Sequence, residues 1–223
     1  MKMKPRPKIL NLYGGIGGNR KLWGGGLDIT AVEIDPNIAA VYAALWREDR
    51  VIVADAHEYL LAHYDEYDFI WSSPPCPSHS VTNHFLNAQG IRRYPDMALY
   101  QEIILLEHFF AKGGGKYVVE SVRGYHTPLI PPQTSGRHYF WANFKIPTVE
   151  GVKIGRMAKL KDGNRGDKKN NLDALGFDLS PFSGIDKDKV LRNCVSPEIG
   201  LAIFQAAKGI YEAQRAEAGT LFG

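Results

Sequence analysis

The chain has 223 residues, 44% of them hydrophobic and 23% charged, and its formal net charge is +3 at pH 7. This length suffices for one sizeable α/β domain with a small insertion, and the composition is ordinary for a folded globular protein, so disorder is not expected. The net charge alone is too small to predict a nucleic-acid partner. The basic lead-in over residues 1–8 lacks the apolar run of a signal peptide and no stretch predicts a membrane span, so we expect a cytoplasmic protein.

The two cysteines, Cys76 and Cys194, are far apart and form no Cys-x-x-Cys pattern. This spacing argues against a zinc site and against a disulfide framework. His79 and His84 have no acidic partner at ligand spacing, so no metal site is predicted from them either. A reducing compartment would keep Cys76 available as a thiol.

Residues 8–12 predict a first buried strand, and residues 13–19 predict a tight glycine-rich turn after it. Gly15 and Gly17 would begin a dinucleotide-binding fingerprint, but Arg20 stands where the third glycine is required. No Gly-Lys-Ser/Thr follows, so a phosphate-cradling loop is not predicted. The turn therefore favours a nucleoside cofactor without a pyrophosphate.

Residues 29–32 predict a second strand that ends at Glu33. Asp35 is placed to cap the next helix, with Pro36 at the first helical position. This assignment leaves Glu33 free, and an acidic side chain at the end of the second strand is where doubly wound folds bind ribose hydroxyls. We therefore expect Glu33 to bind a ribose.

A third strand is predicted over residues 51–54 and ends at Asp55, and a fourth over residues 67–71 leads towards Cys76. Two prolines directly before Cys76 remove backbone donors and fix φ, so the chain leaves the sheet there and presents Cys76 in a loop. The alternative is that Cys76 is a small buried hydrophobe near a turn.

Residues 77–95 lack apolar periodicity and predict a mobile functional loop. A helix is predicted from Asp96 to the glycines at 113–115. The strand over residues 117–119 then ends at Glu120. The apolar face of the helix consists of Leu99, Ile103, Leu106 and Phe110.

Residues 145–190 show the least pattern. Within them, residues 151–169 carry seven basic and two acidic side chains, a local excess larger than that of the whole chain. Such a run is usually a solvated loop, but it is also what a phosphate-tracking surface needs. Ser196 and Pro197 then predict the start of a last helix.

Five candidate residues each fall just after a predicted strand. Ligands of open α/β sheets bind at the carboxyl ends of the strands. The sequence therefore predicts an α/β fold with a doubly wound, mostly parallel sheet and a binding site at one edge. The five residues are Gly15, Glu33, Asp55, Cys76 and Glu120.

Three motifs, in this order, resemble those of the DNA (cytosine-5) methyltransferases. Residues 13–18 match the aromatic-x-Gly-x-Gly-Gly loop, Ser-Pro-Pro-Cys at 73–76 matches the Pro-Cys motif, and Glu-Ser-Val at 120–122 resembles Glu-Asn-Val. The resemblance covers most of residues 8–144 and resumes at 192–211. It implies a Rossmann-like, S-adenosylmethionine-dependent methyltransferase fold, S-adenosylmethionine as cofactor, S-adenosylhomocysteine as product and methyl transfer to C5 of cytosine.

The resemblance also implies three catalytic residues. Cys76 would add to C6 of a flipped-out cytosine, because C5 alone is too poor a nucleophile to take a methyl group. Glu120 would bind the ring N3 and amino group as a general acid, and burial would raise its pKa. Arg137 would stabilise charge on O2.

A further set of residues is implied to contact the cofactor. Asp55 would accept a hydrogen bond from the adenine amino group, although a helix cap explains its position equally well. Leu99 would touch the adenine, although a core position is the commoner role for such a leucine. The whole set is Tyr13, Gly15, Ile16, Gly17, Gly18, Glu33, Ile34, Asp55, Ala56, Pro74, Leu99 and Asn193.

The chain departs from the family pattern at several positions. Ser121 replaces the asparagine of Glu-Asn-Val, while Ser135 and Tyr139 replace the glutamine and the second arginine of Gln-x-Arg-x-Arg. The target-recognition region is also much shorter than is usual in the family. The implied parts are a catalytic and cofactor-binding domain over residues 1–144, a target-recognition insertion over 145–190 and a C-terminal helix over 191–223.

Double-stranded DNA is the implied partner, contacted by Arg92, Arg93 and the basic stretch from Lys153 to Lys169. We expect a monomer without membrane contact. Three alternatives remain: an RNA cytosine-5 methyltransferase, an amino-methyltransferase, and a non-catalytic DNA-binding relic of the fold. The amino-methyltransferases require an aromatic residue where Cys76 stands and need no Glu120.

Overall fold

The structure is a computed structural model that describes residues 6–75, 83–92, 94, 96–124, 126–149 and 175–209. Seven strands form one sheet in the order β3-β2-β1-β4-β5-β7-β6. Strands β1 to β5 are parallel, while β7 is antiparallel to both β5 and β6. The strands are β1 (Lys8–Leu12), β2 (Asp28–Glu33), β3 (Arg50–Val53), β4 (Phe69–Ser72), β5 (Lys116–Val122), β6 (Gln133–Ser135) and β7 (His138–Ala142).

Helices cover both faces of this sheet, as a parallel sheet requires. On one face, Leu12 of β1 and Val119 of β5 pack with Leu60 and Ile103 from two of the helices. On the other face, Trp71 of β4 belongs to a second cluster with the C-terminal helix. The predicted doubly wound, mostly parallel α/β fold is therefore confirmed. The helices are α1 (Pro36–Leu45), α2 (Ala56–His63), α3 (Asn83–Ala88), α4 (Ala98–Leu105), α5 (Lys187–Arg192) and α6 (Pro197–Ala207).

The strand register brings the predicted site residues to one edge. Val32, Leu12, Ser72 and Val119 are aligned across β2, β1, β4 and β5. In parallel strands the residues that follow an aligned row emerge at the same edge. The residues that follow this row are Glu33, Tyr13, Ser73 and Glu120.

The helix predicted from Asp96 is confirmed, with one difference in its geometry. It begins as α4, becomes a π-helix over Leu106–Phe110 and ends in a 3-10 turn over Ala111–Gly113. Gly114, with φ +92°, stops it in the left-handed conformation that glycine adopts without strain. All four residues of the predicted apolar face are at most 4% exposed.

The segment predicted as an aperiodic loop over residues 77–95 contains α3. A helix of six residues spans less than two turns, so it shows no repeated apolar face in the sequence. Gly90, with φ +77°, and the bond from Ile91 N to the Leu86 carbonyl at 2.9 Å close its end. The loop prediction was therefore wrong for this part of the segment.

Residues 175–190, which end the region predicted as a recognition insertion, pack against α1. Leu175, Phe177 and Val190 form a third apolar cluster with Val41 of α1 and Ile16 of the glycine turn. The basic stretch from Lys153 to Lys169 lies outside the described residues. Across the described residues, no helix has the length and apolarity needed to cross a membrane.

Candidate active site

The glycine turn after β1 leaves open space beside its backbone. Gly15 has φ +55°, and a Cβ atom built there would meet no atom of the described residues within 4 Å. Its amide donates a hydrogen bond to Glu33 Oε2 at 2.9 Å. Gly17, with φ +79°, faces the protein instead, because a Cβ atom there would clash with Trp46. The turn thus presents one open backbone surface at Gly15 and is packed from behind at Gly17.

Arg20 replaces the glycine of a dinucleotide fingerprint and anchors the base of this turn. Its guanidinium binds the Asp49 carboxylate through two bonds of 2.9 and 3.0 Å. It also lies over the Trp46 ring, 5.1 Å from the centroid, while Trp46 donates to the Ile16 carbonyl at 3.0 Å. A paired, mostly buried arginine of this kind holds the turn in place through Trp46 and the Ile16 carbonyl.

Two acidic residues lie at the end of β2, and the helix cap predicted for one of them is confirmed. Asp35 caps α1, because its Oδ1 accepts hydrogen bonds from the amides of Asn37 and Ile38 at 2.8 and 3.3 Å. Glu33 accepts from the amides of Gly15 and Asp35, which fixes its carboxylate at the edge. Ile34 is 63% exposed beside it, an apolar surface against which a planar base can lie. The ribose role of Glu33 stays a prediction.

Asp55 caps α2, the alternative that the sequence analysis left open. Its Oδ1 accepts from the amides of His57 and Glu58 at 2.9 and 3.0 Å. Asp55 is exposed, and Ala56 behind it is buried. Because both capping bonds go to Oδ1, the second oxygen is available for the predicted adenine contact.

The chain leaves β4 through Ser72, Ser73 and Pro74. Trp71 donates from Nε1 to Ser73 Oγ at 2.8 Å, so the hydroxyl has a fixed position at the start of the turn. Pro74 is buried and Pro75 is exposed. Cys76, the predicted nucleophile, lies just outside the described residues.

Glu120 is a buried carboxyl group on β5, 7% exposed, at the same edge of the sheet. Burial raises its pKa from the ordinary value of 4.5 to about 7, although a hydrogen bond from Ser73 and the positive charge of Arg137 oppose the rise. The carboxyl group is therefore protonated in a large fraction of molecules at neutral pH. The bond to Ser73 links it to the turn that leads to Cys76.

His138 lies next to Glu120 and was not singled out by the sequence. Its Nε2 is 3.6 Å from Glu120 Oε1, because the antiparallel pairing of β7 with β5 sets His138 opposite Val122. Its Nδ1 is buried and has no hydrogen-bond partner within the described parts of the chain, and burial lowers the pKa of the ring to about 4. Only the pairing of two distant strands creates this contact, so no local sequence signal reveals it.

Arg137 lies in the two-residue turn between β6 and β7 and is exposed. The two neighbours that replace family residues have structural roles. Ser135 is buried, with Oγ donating to the Pro147 carbonyl at 3.1 Å and accepting from the Val149 amide at 3.3 Å. Tyr139 packs against the core cluster that contains Trp141. Among the three positions of this motif, Arg137 is the one that faces solvent near Glu120.

The turn after α5 lies directly behind the glycine turn. A Cβ atom on Gly18 would come within 3.0 Å of the Cys194 Cβ atom and 2.7 Å of the Val195 carbonyl. Asn193, the predicted cofactor contact, is exposed at the end of α5 beside this packing. Burial raises the pKa of the Cys194 thiol to about 12, so Cys194 is an unreactive thiol.

The remaining predicted contact residues are Leu99, which lies in the core, and the arginine pair Arg92 and Arg93. Leu99 is 4% exposed and belongs to the core cluster around Leu12, which agrees with a core role, while its contact with adenine stays a prediction. Arg92 is exposed, and Arg93 lies outside the described residues. Within the described ranges, no group of three or more histidine, cysteine, aspartate or glutamate side chains is arranged to hold a metal ion.

Glu102 is a second buried carboxylate that the sequence analysis missed. It is 0% exposed, and it accepts hydrogen bonds from Tyr13 Oη and Ser72 Oγ, both at 2.6 Å. His57 Nδ1 lies 3.0 Å from the same carboxylate. The signal was present in the helix pattern, since Glu102 lies on the buried stripe with Leu99 and Leu106, where a charged residue is unexpected.

Comparisons with solved structures find methyltransferases at low similarity. A SAM-dependent methyltransferase from Agrobacterium tumefaciens has 16% identity and a TM-score of 0.39, over 54% of this chain and 40% of that one. A TehB-like SAM-dependent methyltransferase from Corynebacterium glutamicum has 20% identity and a TM-score of 0.37, over 57% and 61% of the two chains. A DNMT2 variant from Spodoptera frugiperda has 24% identity and a TM-score of 0.36, over 53% and 36%.

The chain thus spans less than two thirds of the length of each of these three proteins. No family model matches the sequence, and no curated protein matches it. Similarity this low assigns neither a family nor a substrate. The functional conclusion therefore depends on the side chains at the carboxyl edge of the sheet.

Proposed function

We propose that the protein is an S-adenosylmethionine-dependent DNA (cytosine-5) methyltransferase that acts through a covalent Cys76 adduct. The observation that carries this proposal is the buried, protonatable carboxyl group of Glu120, hydrogen-bonded to Ser73 on the turn that leads to Cys76. A carboxyl group with a pKa near 7 is suited to hold a proton against a neutral ring nitrogen at physiological pH. The motif resemblance supplies the substrate class.

The residues around the glycine turn fit the cofactor. The open backbone at Gly15 admits a ligand against the chain, and the Glu33 carboxylate at the end of β2 is placed for ribose hydroxyls. Ile34 and Val53, which are 63% and 57% exposed, offer apolar surface for an adenine. Asp55 is at the adjacent strand end for its amino group. When bound, S-adenosylmethionine supplies an activated methyl group.

Each chain residue has one task in the proposed reaction. The Cys76 thiolate forms a bond to C6 of the extruded cytosine, which moves electron density to C5. Glu120 donates a hydrogen bond to N3 and stabilises the charge that develops there. C5 then takes the methyl group, after which loss of the C5 proton and cleavage of the bond between sulfur and C6 restore the aromatic ring. Arg137 is the cation available near O2.

A covalent trap tests the proposal. A pool of random-sequence DNA duplexes containing 5-fluorocytosine, incubated with the protein and S-adenosylmethionine, yields a protein–DNA adduct that survives denaturing electrophoresis, because fluorine on C5 does not leave as a proton does. Cys76→Ser abolishes the adduct. Cys194→Ser is the matched control and retains it, since the Cys194 thiol is buried and its pKa is raised.

The same experiment separates the alternatives. An adduct that persists in Cys76→Ser refutes the proposed nucleophile. An adduct on 5-fluorocytosine tRNA but not on the duplex pool changes the substrate to RNA and keeps the chemistry. Binding of S-adenosylmethionine without an adduct on either nucleic acid leaves the amino-methyltransferase and the non-catalytic relic, and only the first of these methylates an exocyclic nitrogen.

A further inference from the structure

The Glu102 carboxylate joins three turns that surround the proposed cofactor site. Tyr13 opens the glycine turn, Ser72 is the last residue of β4, and His57 lies in the first turn of α2 close to Asp55. All three bond to one buried carboxylate on α4. A displacement of any of these turns therefore breaks a bond to a buried charged group, which is far more costly than the loss of a surface contact.

We propose that Glu102 is a positioning residue that fixes these three turns relative to one another, as one unit, and so shapes the cofactor site. We further propose that the turns are held most firmly when His57 carries a proton. The inference deepens the proposed function, on which it rests for the identity of the ligand. Glu102 itself is fully buried, so it acts through Tyr13, His57 and Ser72 and not by touching the ligand.

Tyr13 shows why the glycine turn depends on this bond. Its φ is +55°, a left-handed conformation that is strained for a bulky residue. Burial, followed by the charge and the hydrogen bond of Glu102, raises the pKa of the Tyr13 phenol, so the hydroxyl keeps its proton and donates. The 2.6 Å bond to Glu102 compensates for the strain and fixes the start of the turn that carries Gly15.

His57 makes the unit sensitive to pH. Its Nδ1 lies 3.0 Å from Glu102 Oε1, and its Nε2 lies 3.2 Å from Gln101 Oε1. Only the protonated ring donates from both nitrogens. The charged groups that face the ring are Glu102 from α4 and Asp55 from the turn before α2, and the Tyr13 hydroxyl shares Glu102 Oε1. The hydrogen bond to Glu102 is the main cause of a raised pKa of His57.

The chain contains a matched control pair on the same helical segment. Tyr117 Oη donates to Glu107 Oε2 at 2.6 Å, the same chemistry and length as the bond from Tyr13 to Glu102. Tyr117 is near the start of β5, at the opposite edge of the sheet from the proposed site. Tyr117→Phe therefore removes a bond of the same type and length, but to the exposed carboxylate of Glu107, without touching the three turns.

Hydrogen–deuterium exchange of the ligand-free protein tests the unit directly. Tyr13→Phe raises amide exchange by about tenfold or more at residues 14–18, and also at the start of α2 and at Ser72 and Ser73, because all three turns share Glu102. Glu102→Gln does the same, and Tyr117→Phe does not. The proposal is overturned if the increase in amide exchange in Tyr13→Phe is confined to residues 14–18. It is also overturned if Tyr117→Phe shows the same increase. Both outcomes decide the question even if Glu102→Gln fails to fold.

Calorimetric titration with S-adenosylhomocysteine tests the link to the cofactor and to pH. The affinity of the wild-type protein decreases as the pH rises through the pKa of His57, and His57→Gln lacks this step because its amide donates at every pH. A step that persists in His57→Gln overturns the role of His57. If the wild-type protein binds no S-adenosylhomocysteine, the proposed cofactor is wrong, while the exchange measurement still decides whether Glu102 joins the three turns.

Discussion

The Nε2 atom of His138 lies 3.6 Å from the Oε1 atom of Glu120, and the two side chains are 5% and 9% exposed. This separation is too long for a hydrogen bond. Burial raises the pKa of Glu120 to about 7 and lowers the pKa of His138 to about 4, so near neutrality the imidazole is uncharged and the carboxyl group is protonated in a large fraction of molecules. Burial of Glu120, rather than a bond to His138, thus favours the protonated carboxyl group that the proposed chemistry needs.

Replacing Glu120 tests its catalytic role. Glu120→Gln is expected to lower the single-turnover rate of DNA methylation by about 10²- to 10⁴-fold, the usual contribution of a general acid. The wild-type rate should also decrease as the pH rises above about 7, because Glu120 then loses its proton. Glu48→Gln, a change at an exposed surface position, is the control. Equal rates for the two variants would contradict the assignment.

The same variant makes a prediction about stability. The pKa of Glu120 in the folded protein, about 7, is above the ordinary 4.5, so the folded state binds this proton more tightly than the unfolded state. Its contribution is complete below pH 4.5 and is lost as the pH rises through about 7, by at most about 3 kcal/mol. Urea unfolding of wild type and Glu120→Gln across this range measures the difference, and a constant difference would refute the shift.

His138 is expected to act in the opposite direction. Its pKa of about 4 in the folded protein is below the ordinary 6.5, so the free energy of unfolding decreases as the pH falls from 6.5 towards 4. His138→Asn removes this loss, whereas His108→Asn, at an exposed position, leaves it unchanged. Urea titrations of the three proteins at several pH values in this window test the prediction, which is wrong if His138→Asn follows the wild-type curve.

Alanine substitutions at three glycines distinguish the effect of backbone strain on stability from the effect of a blocked binding surface on affinity. Gly15→Ala and Gly24→Ala both place alanine at positive φ in open space, so each should lower the free energy of unfolding by about 1–2 kcal/mol. Only Gly15→Ala should also weaken binding of S-adenosylmethionine. Gly17→Ala should be the least stable, because its Cβ atom meets Trp46 as well. Chemical unfolding and calorimetry on the three variants check both points, and equal affinities for Gly15→Ala and Gly24→Ala would exclude the cofactor from this turn.

Strand positions were predictable because each parallel strand is a short apolar run that ends at a turn residue. Residues 8–12 coincide with β1, and the predicted strand over 29–32 lies within β2. The capping role of Asp35 was equally readable, since the Asp-Pro pair has a local geometric meaning. The ends of the strands are therefore sufficient to predict that Gly15 and Glu33 lie at the same edge of the sheet.

Contacts between distant elements were not predictable in this way. His138 meets Glu120 only through the register of β7 against β5, and Glu102 gathers its three donors only after α4 has packed across the sheet. Neither relationship has a fixed spacing in the sequence. The roles of Cys76 and of the basic stretch stay predictions, because both lie outside the described residues.

The packing of α6 against the glycine turn has a consequence for synthesis of the protein. A Cβ atom on Gly200 would overlap the backbone of Asn19, and the Cys194 side chain lies directly against Gly18. The turn at the first strand is thus braced by a helix that leaves the ribosome much later. A nascent chain that has not yet released α6 has an unbraced glycine turn, so the open backbone surface at Gly15 is completed only after α6 has emerged.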